Sequence, residues 1–507
     1  MNLTLSFLPA ISQPKLLVLN KFNMERDDRL EKLNKLKERG INPYPAKVER
    51  THLIGEVLDN FEKFKDGEEE MFLVGRLRSM RTHGNLTFAN LEDNSGQIQL
   101  AISKKEIGAD EYKDFIKLID VADFIEIKGT CFLTHKGEQS VMIKSWRIIS
   151  KALLPLPEKW HGLKDEEDIL RKRYLDILFN PEVKDLFVKK SKFWQATRNF
   201  LSQRNFIEVQ TPVLENTTGG ADARPFTTHH NALDLDVFLR ISCGELWQKK
   251  LMVAGYEKVF EIGRVFRNEG MDAEHAQDYT QMEFYWAYSD YEQGMKMVEE
   301  MYKHIAQETF GTFKFKIKGF DIDLGSKWEI YDYVGLIKEK TGIDVLNTGI
   351  VEIEAKLKEL KVEYNKKGFN ITRGIDNLWK YCRKSIGGPG FLINVPATME
   401  PLAKRDETNP ELVQRFQVII AGSENGKGYS ELNDPIDQAD RFAEQQKLRD
   451  KGDDEAQMQD DSFVEALEHG MPPTCGFGFS ERLFSFLADK TIRDAQIFPL
   501  MRPKRTE

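Results

Sequence analysis

Apolar and polar positions alternate in two runs between Phe260 and Tyr288. The first run holds Phe260, Ile262, Val265 and Phe266 around an Arg264-x-x-Arg267-x-Glu269 segment, then gives way to a polar loop with Gly270 and Asp272. The second sets Met282, Phe284 and Trp286 against Gln281, Glu283 and Tyr285. Period two predicts a pair of antiparallel strands joined by a charged loop. Residues two apart on a strand share a face, so Arg267, Glu269, Glu283 and Tyr285 are expected on one side of the sheet. Unpaired charges are expelled from cores, which leaves either a solvated face or a charged site. Residues 475–484, CGFGFSERLF, alternate Gly with Phe and predict a tight strand turning into a helix whose first turn carries Arg482. Small residues there let a ligand or a second backbone approach closely.

Upstream, residues 25–39 place Leu30, Leu33 and Leu36 on one stripe among Arg26, Arg29, Lys32, Lys35, Lys37 and Arg39, a basic amphipathic helix stopped by Gly40 and Pro43. From Met71 to Ser150 the pattern predicts three strands (72–81, 86–91, 97–102), a helix (110–118) and two more strands (124–131, 139–149). That is the order of a five-stranded oligonucleotide-binding barrel. Its expected binding face carries Arg81, Phe88, Gln99 and, in the loop before the last strand, Glu138. An aromatic for stacking with Arg, Gln and Glu for base edges suits single-stranded RNA. Residues 153–178 are broken by Pro155 and Pro157 and then turn helical. A long helix follows over 185–205, with Phe193, Trp194, Thr197, Phe200 and Leu201 on one side. Next come a glycine loop at Gly219 and Gly220, a strand with Leu233, Leu235, Val237 and Leu239, and a helix headed by Glu245. His229 and His230 are adjacent in an extended run and face opposite ways, which argues against a metal pair. Residues 291–400 hold helices (291–310, 351–361) and an insertion at about 346–384, with no chemistry to defend; strands resume before RFQVIIAGSENGKGYSELNDP.

The 507 residues are 40% apolar and 31% charged, which fits a globular protein of several cores. A net charge of -9 means that any nucleic-acid contact must come from local patches. Cys131, Cys243, Cys382 and Cys475 are too dispersed for a zinc knuckle or a disulfide framework, so a reducing, cytoplasmic compartment is expected. No apolar run of about 18 residues is present to span a membrane. Residues 1–23, with Pro9 and Pro14 and no basic start, are expected to be a start-site extension or disordered tail, with Met24 as an alternative start.

The FRxE hairpin and the GFGFSER strand-to-helix turn, in this order, resemble motifs 2 and 3 of the class II aminoacyl-tRNA synthetases. The 185–205 helix with Gln210-Thr211-Pro212 resembles motif 1, which in that family builds a dimer interface. The order Arg, Phe, Gln, Glu on the barrel is similar to the anticodon-reading set of the lysine-type enzymes. Glu424 followed by Gly-x-Gly-Tyr429-Ser430-Glu431-Leu432-Asn433-Asp434-Pro435 looks like the lysine branch of the aspartate, asparagine and lysine subgroup. The resemblance runs from about Met24 to Lys504. It implies an α+β chain: residues 1–23 as an extension, 24–70 a basic helical segment, 71–150 the five-stranded barrel, 151–180 a hinge, and 181–507 a catalytic domain on an antiparallel sheet flanked by helices.

The implied activity is ATP-dependent charging of tRNA(Lys) with L-lysine by a homodimer using Mg2+. Arg267 would bridge the amino-acid carboxylate and the α-phosphate, because a planar guanidinium donates bidentately to both. Arg482 would hold the γ-phosphate or stack on adenine, Glu269 accept from the adenine amino group, Tyr279 stack the ring and His275 touch phosphate. Glu424 is the expected magnesium ligand. Glu245 and the Gly220 backbone would take the α-ammonium; Glu283, Glu431 and Tyr285 the ε-ammonium, with Tyr429 beside them. Four departures from the family pattern stand out. Gln417 occupies the place of a second magnesium-binding Glu, Glu274 replaces an Arg, Lys427 replaces a pocket Asn, and Cys243-Gly244 adds a residue before Glu245. Rival readings are an aspartate- or asparagine-type ligase, disfavoured by so acidic a pocket, and the short lysine ligase that modifies a translation factor, disfavoured by the intact barrel. A catalytically lapsed RNA-binding paralogue is the third, disfavoured by Arg267, Glu269 and Arg482.

Overall fold

The structure, a computed structural model, describes residues 13–65, 69–157, 166–221, 223–270, 272–366, 369–453 and 456–503. It divides into two compact units, Met1–Gly162 and Leu163–Glu507.

In the first unit, strands Met71–His83, Leu86–Glu92, Gln97–Ser103, Gln139–Ser150 and Phe124–Leu133 pair in that order and close into a barrel. Alternate residues such as Leu73, Leu91, Leu100, Ile125 and Ile143 fill its interior, as period-two patterning requires. The N-terminal helix spans Gln13–Glu38, so it begins ahead of residue 25 and continues into the expected 1–23 extension, of which residues 1–12 lie outside the described residues. Leu33 and Leu36 are buried. The basic residues of this helix mostly serve the fold. Arg29 donates to the carbonyls of Val121 and Ala152 at 3.1 Å, Lys32 lies 2.8 Å from Asp120, and Arg39 pairs with Asp114. Each of these three cations thus already has an anionic or carbonyl partner.

In the second unit, an eight-stranded sheet runs in the order Glu329–Asp332, Gly390–Ile393, Arg415–Ile420, Ser423–Ser430, Thr474–Ser480, Asp278–Ala287, Lys258–Phe266 and Ile207–Glu208 among the described residues. Its centre is antiparallel, as expected; the outermost pair at each end is parallel, which makes the sheet mixed. Helices Pro181–Ser202 and Tyr291–Phe310 belong to the core on one face, where Phe193, Phe200, Met301 and Tyr302 meet Phe284 and Phe477. The first of these starts earlier than residue 185 because Pro181 sits in its first turn, where a missing N–H costs nothing. The opposite face carries Glu283, Tyr285, Tyr429 and Glu431. The strand expected from Leu233 begins only at Leu235, and Leu233 stands exposed in the preceding turn. The insertion contains helices Ile350–Glu359 and Ile371–Cys382. Part of the hinge, residues 158–165, lies outside the described residues; beyond it run helices Glu166–Arg171 and Arg173–Phe179. No helix among the described residues is long and apolar enough to cross a membrane.

Candidate active site

Strand register builds the floor of the site. Tyr429, Gly476 and Tyr285 form one row across three adjacent strands, and Lys427, Gly478 and Glu283 form the next. The alternating glycines are needed here. A Cβ at Gly476 would collide with Glu431 Oε1, and one at Gly478 would stand 2.8 Å from the Glu283 Cγ. The Gly-Phe alternation thus puts phenylalanine rings into the core and leaves the other face open for carboxylates.

Three carboxylates meet above this floor. Glu283 accepts from the Cys243 amide and from Gln281 Nε2, both at 2.8 Å, and from the Tyr285 hydroxyl at 3.2 Å. The backbone at Cys243 therefore supplies a donor that fixes Glu283. Glu245, first residue of helix Glu245–Val253, accepts from the Tyr429 hydroxyl. Gly220 packs against it with φ of 86°, where a Cβ would lie 2.6 Å from that of Glu245. Glu431 Oε2 lies 2.5 Å from Lys249, while its Oε1 is buried with no hydrogen-bond partner among the described residues. Burial, reinforced by Glu245, pushes the Glu283 carboxyl up to about 8. Burial also pushes Glu431 up to about 8, with Lys249 opposing and Glu245 adding to the rise.

The second half of the site is cationic. Arg267 lies just beyond its strand, so strand periodicity does not place it, and Glu269 lies further along the loop. Its backbone N–H bonds to the Gln277 carbonyl at 2.7 Å, and its Nε donates to Ile241 O at 3.2 Å. The guanidinium sits 5.7 Å from the ring centre of buried Tyr279. Burial raises the Tyr279 hydroxyl; Arg267 and Arg482 oppose that rise, and Glu269 and Glu283 add to it. His275, exposed in the loop, has its Nδ1 2.8 Å from Asp272. Arg482 donates to the Glu424 carbonyl at 3.1 Å. Glu424 accepts from Trp379 Nε1 at 2.7 Å. Burial would raise its carboxyl, yet Arg383, Trp379, Arg415 and Arg482 together hold it below the usual range.

The departures acquire physical explanations. Lys427 Nζ lies 3.1 Å from Glu400 Oε2, and Arg415 Nε 2.7 Å from Glu400 Oε1, so the extra cation in the pocket wall is balanced there. Gln417 Oε1 accepts from Arg415 at 2.5 Å, so its oxygen is already engaged by a guanidinium. Glu274 pairs with Lys318 and lies 3.9 Å from Arg482. Among the described residues no group of three His, Cys, Asp or Glu is placed to hold a metal. Glu424, partly exposed and held ionised, offers an oxygen donor of the kind Mg2+ takes.

Residues 165–502 match the family described as tRNA synthetases class II (D, K and N), two thirds of the chain. The chain belongs to this class II synthetase family. Residues 72–149 match an OB-fold nucleic acid binding domain. The class II synthetase is 44% identical over 480 residues to a lysine--tRNA ligase of Carboxydothermus hydrogenoformans, covering 94% of this chain and 97% of the relative. It is 41% identical over 488 residues to the lysine--tRNA ligase of Thermotoga maritima, covering 95% and 97%. With that of Thermoanaerobacter sp. strain X514 it shares 43% over 483 residues, covering 94% and 95%.

On the synthetase's barrel, Arg81 pairs directly with Phe88 across two strands. Gln99 pairs with Asn90, two residues on from Phe88, and with Ser140, whose hydroxyl donates to Gln99 Oε1 and to the Glu138 carbonyl. The strand register therefore brings Arg81, Phe88 and Gln99 to one face, with Glu138 in the adjoining loop held through its backbone carbonyl. Sequence reasoning missed Lys249, Trp379, Arg383, Glu400 and Arg415. Only Lys249 left a signal, its position four residues after Glu245 on a helix.

Proposed function

We propose that this class II synthetase is a lysine--tRNA ligase that activates L-lysine with ATP and transfers it to the 3′ end of tRNA(Lys). The observation that carries the reading is the convergence of buried Glu245, Glu283 and Glu431 beside Arg267 and Arg482. Glu245 and the Gly220 backbone take the α-ammonium; the open oxygen of Glu431, with Glu283 and Tyr285, takes the ε-ammonium. Arg267 then holds the lysine carboxylate against the α-phosphate. A carboxylate oxygen attacks that phosphorus in line and the bond to the bridging oxygen breaks, releasing pyrophosphate. A terminal ribose hydroxyl next attacks the acyl carbon and AMP leaves. Both steps need alignment and charge neutralisation more than a protein nucleophile. Tyr279 stacks adenine, Glu269 accepts from its amino group, and His275 and Arg482 lie on the phosphates. Mg2+ at Glu424 would neutralise phosphate charge. An aspartate side chain would meet three carboxylates and is excluded by repulsion. The exposed apolar side chains of Ile207, Val213 and Leu214 support a homodimer. Four free, buried cysteines support a cytoplasmic setting.

ATP–pyrophosphate exchange across a panel of amino acids tests the assignment. Only lysine is expected to support exchange, and equal exchange with aspartate would overturn the reading. On the barrel, Phe88→Ala removes a stacking platform of about 1–3 kcal/mol. It is expected to lower kcat/KM for tRNA(Lys) charging about tenfold and leave exchange unchanged. Unaltered charging kinetics would remove this face from anticodon reading.

A further inference from the structure

Lys249 is a cation set among the acids of the site, paired with two of them. Its side chain is 1% exposed, with the ammonium 2.8 Å from Glu245 Oε1 and 2.5 Å from Glu431 Oε2. Rings of Tyr285, Tyr429 and Phe463 surround it at 5.9, 5.4 and 5.8 Å. Burial alone would strip a lysine of its proton; here Glu245 and Glu431 more than offset it and hold the ammonium charged. Burying an ion pair is rarely better for stability than an apolar residue of like volume, so packing gives no reason for a lysine at this point.

Charge gives one. Neighbouring acids are already matched: Glu261 has Arg240 at 2.6 Å, and Glu400 has Arg415 and Lys427. Glu245, Glu283 and Glu431 remain; once Glu283 and Glu431 are ionised, as they are above about pH 8, three negative charges face one resident cation. The difference is two, the number of ammonium groups on the amino acid whose carboxylate goes to Arg267. We propose that Lys249 is a specificity-determining positioning residue, which ties Glu245 to Glu431 and leaves the pocket with the charge that two ammonium groups neutralise. This rests on the lysine reading above. The other ionisable groups facing the cluster stay neutral, because burial pushes the Tyr285 and Tyr429 hydroxyls and the Cys243 and Cys475 thiols up. Without Lys249, Glu431 would lose the cation that opposes its upward shift and hold its proton to higher pH, so the site would bind lysine only at higher pH.

The test is lysine-dependent pyrophosphate exchange by the full-length protein between about pH 6.5 and pH 9, which brackets the Glu283 and Glu431 carboxyls at about 8. Lys249→Met is expected to raise the KM for lysine roughly 30-fold near pH 7.5, to move its pH dependence upward, and to leave the KM for ATP within about twofold. Lys249→Arg, which keeps the charge, is expected to restore most of the loss. Should the methionine variant not fold, Lys249→Gln retains a donor to Glu245 and is expected to give the same upward shift. An unchanged lysine KM and pH profile in a neutral variant overturns the proposal. So does a parallel rise of both KM values with no pH shift, which marks a merely structural role. If the unaltered enzyme shows no lysine exchange, it is the functional reading that fails.

Discussion

Arg267→Ala is expected to lower kcat/KM for lysine-dependent pyrophosphate exchange about 10³-fold, the scale of losing one preorganised donor to developing charge. Arg267 is held at its Nε by the Ile241 carbonyl and flanked by the Tyr279 ring, so among the described residues its two terminal nitrogens remain for the substrate. It would reach both the lysine carboxylate and the α-phosphate, and only a planar fork does that. Arg267→Lys is therefore expected to recover little. Exchange within tenfold of the unaltered enzyme in the alanine variant would show that the activating charge lies elsewhere.

Glu431→Gln is expected to raise the KM for lysine about 100-fold while the KM for ATP stays nearly constant. One charge at about 4 Å is worth roughly 4 kcal/mol at an effective dielectric of about 20. Part of that is absent near neutrality, because the Glu431 carboxyl is pushed up to about 8 and carries a proton in part of the population. The same shift gives a pH dependence. Glu283 and Glu431 lose their protons as pH rises through about 8, so attraction for an ammonium grows and the KM for lysine falls in that window. A KM independent of pH across it would contradict the shared burial. Equal losses for lysine and ATP in the glutamine variant would move Glu431 out of the amino-acid site.

Local patterns made much of this legible. The period-two run of the motif 2 hairpin put Glu283 and Tyr285 on one face, and the glycine alternation of 475–478 put a cleared floor beside them. The barrel followed from its strand order, and Arg81, Phe88 and Gln99 share a face by strand register. What stayed hidden depended on contacts distant in sequence. Glu245 and Lys249, four apart on a helix, look like an ordinary surface pair; they are buried because Glu431 and Tyr429 close over them. Trp379, Arg383 and Glu400 lie in a stretch whose residues carry no motif, and acquire meaning only where Glu424, Arg415 and Lys427 meet them. Arg267 escaped the strand rule because the strand ends at Phe266. Lys427, puzzling as a cation in a cation pocket, is explained by one carboxylate that no spacing could reveal.

Gly476 has a consequence for how such an enzyme can change over generations. Because only a hydrogen fits opposite Glu431, a side chain cannot be grown from the floor to shorten the cavity for a smaller amino acid. A shift of preference must begin with the acids or the tyrosines that already read the guest, and each of those changes would first weaken the existing activity. The lineage is in this respect locked in by its smallest residue.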